Sequence, residues 1–176
     1  MKQINTIDEL LNFFKLKKIK SKTIGFVPTM GSLHVGHESL VEKCKKENEI
    51  TIVSIYVNPI QFNDQNDFIN YPRSIKLDIK KLKDLKCDIL FNPSTEEISK
   101  LPEPIIDLKL GNLNKLLEAA KRPGHFKGVI TIVSKLFKII SPNKAYFGEK
   151  DLQQLFITKK LCAQNFNNIK IISCPT

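Results

Sequence analysis

The sequence predicts an α/β fold, a Rossmann-like doubly wound parallel sheet with flanking helices. Three observations predict it. Short apolar, β-branched runs alternate with amphipathic helical stretches, the pattern of parallel strands joined by right-handed crossovers. Polar motifs follow several of the runs, where the ligands of such sheets collect. The length of 176 residues, with 41% hydrophobic and 26% charged residues, fits one domain with a real core and excludes a disordered tail.

A first helix is expected over residues 6–18, followed by a buried strand in "TIGFVPT". From about Leu33 to Lys46 the residues Leu33, Leu40, Val41 and Cys44 fall on one helical face. "EITIVSIYVNP" reads as a long strand stopped by Asn58-Pro59. A Lys-rich helix over 74–86 leads to the strand "CDILFNPS". Residues 98–112 hold Pro102, Pro104 and Gly111 around a short strand, "IIDLKL", and a short helix is expected over 113–119. After the loop "KRPGHFKG", the segment 128–140 puts Val129, Ile132, Val133, Leu136, Phe137 and Ile140 on one face. Ser141-Pro142-Asn143 stops it; "KAYFGE" is a strand, "DLQQLFITKKLCAQN" a helix and "IKIISCPT" the last strand.

No apolar stretch reaches the roughly 18 residues of a membrane span, and the start lacks the continuous apolar centre of a signal peptide, so the expected location is cytoplasmic. Cys44, Cys87, Cys162 and Cys174 form no CxxC pair and read as small buried hydrophobes. The net charge of +10 raises a nucleic-acid partner as one reading. Only Arg73 and Arg122 among the 28 basic residues are arginines, the usual bidentate reader, so solvated lysine faces explain the charge better and no nucleic-acid partner is expected.

Five motifs carry candidate chemistry. In "PTMGSLHVGH", Gly31 and Gly36 let backbone approach a ligand, and amides at a helix start favour anions. His34 and His37 project from one helical turn, where phosphate binding, core packing and metal binding are all open; the metal reading is weakest, because His125 is remote and no acid stands at ligand spacing. "VNPIQF" offers Asn58 and Gln61 to a carboxylate or hydroxyl, or is a plain proline turn. "DQNDFINYPR" is a lid or a helix start. "KRPGHFKGV" gathers Lys121, Arg122, His125 and Lys127, as an anion site or a solvated loop. "FGEKDLQQL" places Lys150 to neutralise a phosphate, Asp151 to hold Mg²⁺ or cap a helix, and Gln154 one turn on. Neither a GxSxG elbow nor a GxxxxGK[ST] loop is present, which argues against a covalent enzyme intermediate.

Taken in order, "PTMGSLHVGH", "SIYVNPIQF", "DFINYPR", "RPGHFKGVITIVSKLF" and "AYFGEKDLQQL" resemble the pantoate–β-alanine ligase family of the HxGH nucleotidyltransferases, from about residue 20 onward. The resemblance implies a homodimeric enzyme that takes ATP with Mg²⁺, pantoate and β-alanine. Pantoate would attack the α-phosphorus to give pantoyl adenylate and pyrophosphate, and β-alanine would then displace AMP to give pantothenate. By the same resemblance Met30, Gly31, Ser32, Leu33, His34, Val35, Gly36 and His37, with Gly148, Glu149, Lys150 and Asp151, line the ATP site. The catalytic groups would be His37, His34 and Lys150; similar enzymes use His37 as proton donor, and we read it rather as an electrostatic stabiliser. Pantoate would meet Gln61, Gln154, Met30 and Asn58, β-alanine Gln61 and His125, and Mg²⁺ Asp151, with Arg122 in support. Residues 1–176 are then expected to be the N-terminal nucleotide- and pantoate-binding domain, without the C-terminal domain of similar proteins, and to bind substrate with impaired turnover. Another HxGH adenylyltransferase, a lysine-rich RNA-binding domain and a non-catalytic pantoate binder are the competing readings.

Overall fold

The computed structural model describes residues 1–106, 108, 110–114 and 118–175. In chain order the elements are β1 (Lys2–Ile4), α1 (Ile7–Leu16), β2 (Ile24–Thr29), α2 (Val35–Glu47), β3 (Ile50–Ile55), α3 (Gln65–Ile69), α4 (Ile75–Asp84), β4 (Ile89–Phe91), α5 (Thr95–Ser99), α6 (Glu118–Lys121), α7 (His125–Ile140), β5 (Lys144–Gly148), α8 (Leu152–Asn165) and β6 (Lys170–Cys174). Single 3₁₀ turns over Pro59–Gln61 and Glu149–Asp151 follow β3 and β5. Thr6 caps α1 by accepting from the Glu9 amide at 3.2 Å.

The strands form one parallel sheet in the order β1-β4-β3-β2-β5-β6. Alternate strand residues divide the core into two layers, as the two-residue period of a strand requires. Phe26, Ile52, Phe91, Ala145 and Phe147 pack under α1, α7 and α8. Val27, Val53, Leu90 and Tyr146 pack under α2 and α4. The doubly wound parallel sheet expected from the sequence is the one observed.

The chain runs from β2 to β3 and β4 on one side, then returns to place β5 and β6 on the other. The reversal point is the β2–β5 seam. β2 pairs with β3 along Ile24–Thr29 but with β5 only at Gly25 and Phe26. Ile24 exchanges hydrogen bonds with Asn143, just ahead of β5, whereas the Thr29 carbonyl accepts from Tyr56, just beyond β3. By alternation the nitrogen of Pro28 faces the β5 side, where the strands have already parted. A proline in a central strand ordinarily removes a ladder bond; here none is available to remove.

Some expectations shift. The strand expected in "IIDLKL" lies partly outside the described residues, and its described residues 105, 106, 108 and 110 take no strand pairing. The helix expected over 113–119 falls partly outside them too; α6 begins at Glu118. β1, α3 and α5, each of three to five residues, are too short to show a period.

Candidate active site

Where β2 and β5 part, a cleft of about 300 Å³ opens, with walls of different character. Val129, Ile132, Val133 and Leu136 of α7, with Pro28 and Phe147, form an apolar wall. His34, Gly36 and His37 at the start of α2, and Gly148, Lys150, Asp151 and Gln154 beyond β5, form a polar one. Met30, Gln61 and Tyr71 also line it. The three strand-end motifs "MGSLHVGH", "NPIQF" and "GEKD" thus meet at one crevice.

His34 is the N-cap of α2: its Nδ1 accepts from the Gly36 amide at 3.1 Å. His37 closes a reciprocal box, its Nδ1 accepting from the His34 amide at 3.4 Å. The rings sit 4.2 Å apart between centroids. An accepting Nδ1 carries no proton, so each neutral imidazole bears its proton on Nε2. Burial, and then the proximity of His34, pushes the pKa of His37 down to about 4, against the opposing pull of Asp151 and Asp78. At neutral pH His37 is a neutral Nε2–H donor.

The loop before α2 is occupied by internal bonds. Gly31 and Ser32 take left-handed backbone, with φ of 82° and 50°. The Gly31 amide bonds Thr29 Oγ1 at 3.2 Å, and the amides of Ser32 and Leu33 bond the two carboxylate oxygens of Asp78 at 2.9 and 2.8 Å. The motif leads one to expect open backbone amides for an anion at 31–33; a buried carboxylate from α4 already takes two of them. Ser32 and Leu33 do not line the cleft, nor do Gly31, Val35 and Glu149, and Val35 is largely exposed.

Asn58 and His125 stand behind the lining and hold Gln61. The Asn58 Nδ2 donates to the Gly128 carbonyl at 3.1 Å and lies 3.4 Å from Gln61 Oε1. The His125 Nδ1 is 2.8 Å from the Gln61 carbonyl. Gly128 lets α7 reach the turn, because a Cβ there would stand 2.8 Å from the Cα and N of Gln61. Gln61 Nε2 lies 2.8 Å from Met30 Sδ. Arg122 lines a different cavity, with Phe126 and Ile130. Lys121 and Lys127 are exposed. In "DFINYPR", Arg73 donates to the carbonyls of Phe68, Ile69 and Tyr71 and lies over the Phe68 ring, fixing the loop that carries Tyr71 into the cleft.

Asp151 is the N-cap residue of α8 but makes no side-chain cap bond, and it lines the cleft beside Lys150. The capping reading of Asp151 therefore fails, and its carboxylate faces the site. Among the described residues no group of three or more His, Cys, Asp or Glu side chains could hold a metal by itself. All four cysteines are buried and free, and burial pushes the thiols of Cys44, Cys87 and Cys162 up to about 12.

The sequence over residues 2–176 matches the family model described as Pantoate-beta-alanine ligase. The chain belongs to the pantoate–β-alanine ligase family. It is 47% identical over 176 residues to the pantothenate synthetase of Bacteroides fragilis, covering 99% of this chain and 62% of that protein. With the Staphylococcus epidermidis pantothenate synthetase it shares 48% identity over 167 residues, 94% of this chain and 57% of the relative. The chain thus spans about 60% of the length of these family members. A Francisella tularensis pantoate-beta-alanine ligase, solved with beta-gamma ATP and beta-alanine, superposes with a TM-score of 0.92 at 45% identity, over all of this chain and 67% of that one. The pantothenate synthetase of Thermus thermophilus gives 0.90 at 37% identity, over all of this chain and 62% of its own.

Residues outside the motifs also build the cleft. The apolar face of α7 shows in the sequence only as core, yet its first half is a wall of the site. Asp78 is an acid set into the apolar stripe of Ile75, Ile79 and Leu82, and Gly128 is a glycine at the edge of a helical pattern. Both are visible irregularities of the kind that mark a special contact.

Proposed function

We propose that this protein condenses pantoate with β-alanine at the expense of ATP, through pantoyl adenylate, and that residues 1–176 carry its nucleotide and pantoate sites. The observation that carries the reading is the two-walled cleft, which brings imidazole and ammonium donors together with Gln61, Gln154 and an aliphatic surface. A branched aliphatic hydroxy acid suits such a pocket: its methyl groups pack on Pro28, Val129, Val133 and Phe147, while its hydroxyls and carboxylate face the two glutamines. Asn58 and His125 then act by holding Gln61, and β-alanine approaches on the Gln61 side.

The nucleotide's phosphates lie against His34, His37 and Lys150. The carboxylate of pantoate attacks the α-phosphorus, the bond to the bridging oxygen breaks, and pyrophosphate leaves; the amine of β-alanine then attacks the acyl carbon and expels AMP. Such chemistry needs alignment and charge neutralisation rather than a protein nucleophile. A neutral His37 suits hydrogen-bond stabilisation of the departing phosphates better than proton donation. Asp151 fits Mg²⁺, which favours one or two carboxylates together with substrate phosphates; the ion would neutralise phosphate charge there.

Calorimetric titration with pantoate, then with ATP and Mg²⁺, tests the reading. Pantoate is expected to bind, and Gln61→Ala to weaken it by about tenfold, the loss of one or two hydrogen bonds in a partly buried site. Pantoate binding that is indifferent to Gln61 would move the site elsewhere. Pantoate-dependent exchange of pyrophosphate into ATP then tests the first chemical step. A homodimer in the cytoplasm goes with the same reading, and sedimentation of the chain checks the dimer.

A further inference from the structure

Asp78 stands outside the cleft and yet holds one wall of it. Its side chain is 1% exposed on α4, and its two oxygens take the amides of Ser32 and Leu33 at 2.9 and 2.8 Å. Successive backbone amides that converge in a turn make a concavity that favours an anion. Here Gly31 and Ser32 make that concavity, and the anion is an internal one. A Cβ on Gly31 would lie 3.1 Å from Asp78 Oδ2 and from Ile55 Cγ2, so the loop is seated closely against both. One turn along α4, Lys81 Nζ donates to the Leu33 carbonyl at 2.6 Å and pairs with Glu38 of α2 at 2.8 Å. Leu33 is thereby held by both its amide and its carbonyl, and Ser32 by its amide, immediately before the imidazole box of His34 and His37.

We infer that Asp78 is a positioning residue: it fixes the 31–33 turn and through it the direction in which His34 and His37 present their Nε2–H groups to the cleft. The inference rests on the phosphate-facing reading of those imidazoles. It adds a division of labour, since α4 serves the nucleotide half of the cleft while Gln61, held by α7, serves the acyl half. A carboxylate is required at 78, because both partners are donors and an amide side chain offers one acceptor and one conflicting donor.

The test uses Asp78→Asn in the full chain, with two readouts. In backbone hydrogen exchange, the amides of Ser32, Leu33, His34 and Gly36 should exchange about tenfold or more faster, while those of Ile52 and Val53 in β3 keep their rates. In calorimetry, ATP affinity should fall about tenfold with pantoate affinity changed less than about twofold. Unaltered exchange at His34 and Gly36, or faster exchange spread evenly over β2 and β3, overturns the inference. An equal loss of both affinities overturns it too. Should Asp78→Asn not fold, Gly31→Ala presses on the same contact from the loop side, and the same local pattern is expected. If the unsubstituted chain binds no ATP, the nucleotide reading fails, and the exchange pattern alone decides whether Asp78 orients the box.

Discussion

His37 is a half-buried imidazole whose Nδ1 accepts a backbone proton and whose pKa is driven down to about 4, first by burial and next by His34. Above about pH 6.5 both the folded and unfolded chains hold it neutral. As the pH falls from about 6.5 toward 4, the unfolded chain takes up a proton that the folded chain refuses, so stability falls by on the order of 2 kcal/mol. Replacing His37 with Gln should remove that part of the acid sensitivity, which denaturant unfolding of both proteins between about pH 4 and 7 would measure. Equal slopes would show an ordinary imidazole. Gly128→Ala makes a second point at this scale. With backbone 2.8 Å from the added carbon, α7 and the Pro59–Gln61 turn must separate. Stability should fall by about 1–3 kcal/mol, the range of overpacked sites, and pantoate affinity should fall with it while ATP affinity holds. Asp78 is an exception in an otherwise regular helical stripe, whereas Gly128 reads as the end of a loop until the structure starts α7 at His125. What they touch was not legible in the sequence, because each partner lies far away along the chain.

Elements with a clear period were legible, and those that owe their form to distant contacts were not. α2, α4 and α7 lie within a few residues of their expected bounds because each repeats an apolar face over several turns, and α8 keeps its expected bounds between the strand before it and the one after it. The double duty of α7 could not be read, since a side chain lining a cleft and one filling a core obey the same spacing. α7 also carries Lys135, 4% exposed, whose ammonium meets Glu103 at 2.5 Å on the segment ahead of α6. The partner carboxylate is mostly exposed, so the pair joins a desolvated charge to a solvated one. Glu103→Gln should destabilise the fold by about 1–3 kcal/mol by leaving Lys135 buried without a counter-charge. Lys135→Met is expected to be close to neutral by the same reasoning, and thermal unfolding of the two variants would check the asymmetry. A larger loss from the Met variant would mean that the ammonium serves something other than Glu103.

For the whole molecule, the net charge of +10 bears on encounter rather than on fold. A nucleotide with several negative charges is drawn toward such a surface, whereas a monoanion such as pantoate gains less. Association of Mg²⁺-free ATP, followed by stopped flow, should slow severalfold between about 0.02 and 0.2 M salt, while pantoate association changes by less than about twofold. Similar salt responses for both would locate the excess lysine charge away from the cleft. The sheet order itself was beyond the sequence: alternation gives a parallel sheet, but the place where winding reverses depends on which strand edge each crossover finds.

Pro28 has a consequence for how this chain can go wrong. An unfinished parallel sheet exposes growing strand edges that invite the next strand, native or foreign, to zip on. Beyond Phe26 the β5 side of β2 offers a ring in place of a donor, so a strand that zipped on there would lack a ladder bond at Pro28. The imino acid that borders the fissure in the finished protein also makes that strand edge a poorer template while the chain is still folding.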